Sequence, residues 1–185
     1  MTDRQCIAFA GSRLIAAGPL ADVAQKAKKA LDRDSSAPLL IFDDATSEPI
    51  EVDLRGTAKD VAARLQHPDA SRAPGRPKLG VIAREVTLLP RHWDWLAIQP
   101  GGASVALRKL VEEARRVHAG RDRSRLAQSA AYRFMSAMAG HEPGFEAASR
   151  ALFAGDCARF EDLTEAWPAG VRDHARRLAD RAFTA

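Results

Sequence analysis

Cysteine is scarce in this chain. The two present, Cys6 and Cys157, lie far apart, without CxxC spacing or a neighbouring histidine. That excludes the usual zinc-binding patterns. The five histidines, His67, His92, His118, His141 and His174, are scattered singly, so each is read as a surface or packing residue and no metal is expected. No apolar run approaches the length needed to cross a bilayer, and Met1–Ala10 lacks the basic-then-apolar order of a signal peptide. The expected location is the cytoplasm, with no membrane partner. A glycine-rich phosphate loop, a nucleophile elbow and an HExxH pattern are all missing. The chain is therefore read as a non-enzyme without a cofactor. Asp43, Asp44, Glu48 and Glu51 are expected to be solvated acids of a turn, with catalysis or metal binding on an N-terminal α+β unit as the weaker reading.

Charge of one sign is abundant in one place. Of the formal net charge of +4, residues 1–70 carry −2, residues 71–133 carry +8 and residues 134–185 carry −2. Clustering of this kind is the electrostatic footprint of a polyanion-binding region, and solubility or an acidic protein partner would also use it.

The pattern of apolar residues predicts an α+β fold in four parts. Residues 1–67 read as a small α+β domain. Cys6–Phe9 and Arg13–Ala16 form a hairpin about Gly11-Ser12, and a helix carries Leu20, Val23, Ala24, Ala27 and Leu31. Strands follow at Pro38–Phe42 and Pro49–Leu54, and Thr57 caps a helix bearing Val61, Ala62 and Leu65. Residues 68–83, rich in proline, glycine and basic side chains, read as an arm or linker. Residues 84–120 give a strand from Arg84 to Leu89, a helix starting at Pro90, a break at Pro100-Gly101-Gly102 and a helix capped by Ser104. In that last helix Leu107, Leu110, Val111, Ala114 and Val117 make one stripe, opposite Arg108, Lys109, Glu112, Arg115 and Arg116. Residues 121–185 read as a helical C-terminal domain, punctuated at Gly140, Pro143-Gly144, Gly155-Asp156 and Pro168.

A lone strand leaves its backbone donors and acceptors unpaired, and pairing with the same strand of a second copy satisfies them. The resulting two-stranded ribbon fits a major groove. At this point Arg84–Arg116 resembles the ribbon-helix-helix family, the class of the MetJ, Arc and CopG repressors. The strand ending in Leu89-Pro90, the helix with Trp93 and Leu96, the Gly101-Gly102 turn, Ser104 and the longer second helix carry the resemblance. It implies a homodimer on double-stranded DNA with Val86, Leu88, Trp93, Leu96, Leu107, Leu110 and Val111 in the dimer core. Arg84 and Thr87 would face the groove, and the amides after Gly102, with Ser104 and Arg108, would hold a phosphate. Neither face of the strand is cleanly polar, so readout through Arg84 and readout through Glu85 and Thr87 both stay open.

The arm Arg72-Ala73-Pro74-Gly75-Arg76-Pro77-Lys78 contains a Gly-Arg-Pro core similar to an AT-hook. That similarity would send Arg72, Arg76 and Lys78 into a narrow minor groove, against the alternative of a basic linker. Across nearly its whole length, through Phe9-Ala10-Gly11-Ser12, Gly75–Gly80 and Ala151–Asp156, the chain also resembles a bacterial family of unknown function. The reading is a DNA-binding regulator or nucleoid-associated protein. In that reading the flanking domains serve for ligand sensing, further oligomerisation or a protein partner; its alternative is an antitoxin- or adaptor-type interaction module using the same dimer.

Overall fold

Four consecutive apolar residues, Cys6-Ile7-Ala8-Phe9, are all buried, which requires a strand covered on both faces. They form the centre of β1 (Gln5–Ala10), the middle strand of an antiparallel sheet ordered β2-β1-β3, with β2 at Arg13–Pro19 and β3 at Leu39–Asp43. Gly11, at φ +56°, makes the tight turn of the hairpin. Side chains alternate across a strand, so Cys6 and Ala8 point to one face and Ile7 and Phe9 to the other. The computed structural model describes residues 4–66 and 82–184, which fall into two compact units. One unit comprises the described parts of 1–69 and 121–185, the other those of 70–120.

In the first unit, α1 (Leu20–Arg33) lays Val23 and Ala27 against Cys6, Ala8, Ala16 and Ile41 on one face of the sheet. Next comes α2 (Ala58–Gln66). Its start is a reciprocal cap in which the Thr57 hydroxyl accepts from the Asp60 amide while the Asp60 carboxylate accepts from the Thr57 amide. The expected strand Pro49–Leu54 is reduced to a single bridge between Phe42 and Pro49. The reason is local. Proline offers no donor to a ladder, and the Asp53 carboxylate draws the chain into a turn by accepting from the Arg55 amide and guanidinium.

The opposite face of the sheet is covered by helices from the other end of the chain. A helix of 38 residues, α4 (Gly102–Ala139), contributes Phe134, Met135 and Met138, followed by α5 (Phe145–Ala154), α6 (Cys157–Thr164) and α7 (Ala169–Phe183). Ile7, Phe9 and Phe42 share one core with Leu152, Phe160, Val171 and Leu178. Each such side chain stabilises the fold by about 1.5–3 kcal/mol through burial. The stretches read as N- and C-terminal domains thus pack as one. A backbone contact helps fix this arrangement: a Cβ at Gly170 would meet the Ser12 carbonyl oxygen at 2.8 Å, so α7 starts where only glycine lets it reach the hairpin turn.

The second unit contains α3 (Pro90–Ala97), with Pro90 in the first turn as expected, and the beginning of α4. No described helix is long and apolar enough to cross a membrane.

Candidate nucleic-acid interface

Residues 82–120 bury little of their own apolar surface. Leu96 and Ala106 are their buried hydrophobic residues, whereas Ile82, Val86, Leu89, Trp93, Trp95, Ile98, Leu110, Val111 and Val117 are exposed large hydrophobics. Nine open against two closed is the reverse of a self-sufficient core. On α4 the stripe of Leu107, Leu110, Val111, Ala114 and Val117 keeps its helical spacing. Leu107 is partly covered, and Leu110 and Val111 are 49% and 54% exposed. Leu88 is half-buried, and Val86 and Trp93 are exposed. Of the seven residues assigned to a dimer core, only Leu96 is buried within the single chain.

The strand expected at Arg84–Leu89 is not a strand in the single chain. Residues 82–89 join no sheet, and Leu89 is extended at φ −68°, ψ 150° where it leads into α3. The turn before α4 also differs from expectation. Gly101 and Gly102 both take left-handed backbone angles, φ +84° and +74°, and the Gly102 amide donates to the Gln99 carbonyl. The helix therefore starts at Gly102, which places Ser104 in its first turn instead of at its cap. Arg108 folds back over that turn and donates through Nε to the Ser104 carbonyl at 3.1 Å.

Beside the apolar stripe lie the charges. Arg115 and Arg116 are paired with Glu112 and Glu113, each three residues earlier. Among the described residues Arg84, Arg91, Arg108 and Lys109 have no carboxylate partner, and all four are exposed. Arg91 was not singled out from sequence; its place immediately after Pro90, in the first turn of α3, was the available signal. Thr87 and Arg84 are both exposed on an unpaired segment, so the backbone does not choose between the two groove-facing registers. Arg72, Arg76 and Lys78 lie outside the described residues.

The acids Asp43 and Asp44 are engaged instead of solvated. Asp43 accepts from Arg4 at 2.8 Å and from the amides of Ala45 and Thr46. Asp44 accepts from Arg177 at 3.0 Å and from Arg181 at 2.7 Å, both on α7. Partial burial works against the Asp44 charge, but the two guanidiniums hold its pKa below the ordinary carboxylate value. Glu48 and Glu51 are exposed. This turn is a clasp between the sheet and α7, a use that requires its acids to stay ionised.

One set of metal-ligand types does converge. Single ligand atoms of Cys157, Glu161 and Asp180 lie within 4.8 Å of one another. Desolvation, with Glu161 and Asp180 adding their negative charges, pushes the Cys157 thiol upward. That favours the protonated thiol, which donates to Glu161 at 3.8 Å, over the thiolate a metal requires.

A family model described as an uncharacterized protein conserved in bacteria matches residues 5–179. No curated protein and no solved structure matches the chain significantly.

Proposed function

Because the chain belongs to this bacterial family of uncharacterised proteins, DUF2239, membership brings no activity with it, and we propose from the interface itself a dimeric DNA-binding protein whose grip is dominated by phosphate contacts. In this reading it is a cytoplasmic transcriptional regulator or nucleoid-associated protein.

The observation that carries the proposal is the pairing of an open apolar stripe with unpaired cations on one short stretch of chain. A second copy laid against Leu107, Leu110 and Val111 supplies the core that residues 82–120 lack. The same association offers Arg84–Leu89 an identical strand to pair with, which satisfies its open backbone groups. It also doubles the unpaired cations presented to a duplex. The amides at the start of α4 carry the positive end of the longest helix in the chain, with Arg108 held over them. Arg72, Arg76 and Lys78 would add minor-groove contacts from the arm. The alternative, an adaptor that uses the same dimer without DNA, shares the stripe but has no use for the cations.

Salt titration of binding to random duplex DNA separates the two. Each neutralised phosphate contributes about −0.9 to the slope of log affinity against log salt, so the eight unpaired cations of residues 82–120 in a dimer, Arg84, Arg91, Arg108 and Lys109 from each copy, set a slope of about −7 if all reach phosphates. Undetectable binding at low salt would refute the DNA reading and leave the adaptor. Where binding is found, Arg76→Ala and Arg84→Ala compared on A·T-rich and G·C-rich duplexes distinguish reading by the arm from reading by the ribbon. Equal losses on both duplexes assign both residues to phosphate contact.

A further inference from the structure

We propose that the cleft between β2 and α1, remote in sequence from the DNA-binding stretch, binds a small organic phosphate carrying two or three phosphoryl groups. The cleft has a volume of ≈ 490 Å³ and is lined by Arg13, Lys26, Lys29 and Arg33 around Leu14, Ile15 and Ala30, with Asp34 at its edge. That volume falls in the range of small-molecule sites, about 300–1,000 Å³.

The charges identify the ligand class. Among the described residues none of the four cations has an ion-pair partner, although an ion pair does form on the same helix, where Lys28 meets Asp32 at 2.5 Å. The single carboxylate of the lining, Asp34, accepts the amide and hydroxyl of Ser36 and feels the charge of Arg13 without forming an ion pair with it, so it offsets at most one of the four cations. Four like charges gathered in a concave, partly apolar hollow repel one another and focus a positive potential there. A multiply charged anion relieves that repulsion, and two guanidiniums offer the planar fork that matches phosphate oxygens. An inorganic anion would leave the other half of the cleft unused: Leu14, 43% exposed, and the partly covered Ile15 and Ala30 give an apolar surface for an organic moiety. Lys29 also borders an adjoining hollow with Lys59, which extends the positive surface beyond the cleft.

The test is calorimetric titration of the full chain at low salt with ATP and with inorganic tripolyphosphate, at matched ionic strength, and with phosphatidylglycerol vesicles as the headgroup arm. One-to-one binding of both soluble phosphates is expected, tighter for ATP. Lys29→Gln and Arg33→Gln should each weaken it about tenfold, the loss of one charge-assisted contact. Lys28→Gln, the same charge change on the same helix outside the cleft, should alter it by less than about twofold. Lys29 and Arg33 are exposed and Lys28 is largely covered beside Asp32, so circular dichroism and thermal unfolding check that each variant keeps its fold. Failure of both soluble phosphates to bind, binding to vesicles alone, or equal weakening by Lys28→Gln would each overturn the proposal. Duplex-DNA binding measured on the same variants is independent of this outcome, since no cleft residue lies in the 82–120 stretch.

Discussion

Acidification from pH 7 to pH 4 should weaken the first unit, and His174 sets the expected size. Its ring is 2% exposed and packs edge-on against Phe134, with centroids 4.4 Å apart, and it also contacts Phe9. Nδ1 lies 2.6 Å from the Arg177 guanidinium, while Nε2 is buried with no hydrogen-bond partner. Burial above all, then the neighbouring positive charge of Arg177, lowers its pKa from 6.5 to about 4, against the opposing pull of Asp44. The unfolded chain therefore takes up a proton near pH 6.5, whereas the folded chain resists until about pH 4. Between those values the unfolded state binds more protons, so stability is complete above pH 6.5 and declines as pH falls through the window. The interval corresponds to about 3 kcal/mol. Urea unfolding from pH 7 to pH 4, followed by the fluorescence of buried Trp167 and by circular dichroism, measures it. His174→Phe keeps a ring against Phe9 and Phe134 and removes the titration. Wild-type should lose about 3 kcal/mol more than the variant across the window, on top of whatever the carboxylates contribute to both. Equal losses would show that His174 is not held neutral by the fold, and the reasoning would fail.

Leu110→Asp places a charge on a side chain that is already half open in the single chain, so it should leave the monomer folded while abolishing the dimer; solution mass checks this, and an unchanged dimer would mean that the stripe is not the interface. Gly170→Ala should destabilise by about 1–3 kcal/mol in thermal unfolding, because the new methyl meets the Ser12 carbonyl and the Leu14 amide of the hairpin. Asp44→Ala should cost about 1 kcal/mol, since its arginine partners are 46% and 41% exposed. The same change removes the charge that supports a protonated His174, so the acid sensitivity should extend to lower pH.

Much of the local structure was legible because local periodicity is set by local geometry. The apolar run Cys6–Phe9 and the turn at Gly11-Ser12 marked the hairpin, and the spacing of Leu20, Val23, Ala24 and Ala27 marked α1. Pro143-Gly144, Gly155-Asp156 and Pro168 correctly punctuated the C-terminal helices: Gly144 and Gly155 take left-handed angles, and Asp156 caps α6 by accepting from the Arg159 amide. The misread elements had competing local chemistry. Pro49 and the Asp53–Arg55 turn displaced a strand, and two left-handed glycines moved the start of α4 ahead of Ser104. α4 runs unbroken across the expected division between residues 120 and 121, since one glycine costs a helix only about 1 kcal/mol against the packing of Phe134, Met135 and Met138. The basic cleft is half visible in the sequence: Lys26 and Lys29 fall off the apolar positions of α1, but Arg13 belongs to a strand, and only packing brings it to them.

By itself the sequence determined which face of each element is apolar, where the chain turns, and that the positive excess lies between residues 71 and 133. These are properties of neighbours two, three or four positions apart, and backbone geometry fixes them without reference to the rest of the molecule. Tertiary structure alone decided that both faces of the sheet are covered, the second by helices from the far end of the chain. It likewise decided that Asp44 meets Arg177 and Arg181, 133 and 137 residues away. Such partners are chosen by which apolar surfaces fit together, and a carboxylate's neighbours across that fit leave no periodic trace in the chain.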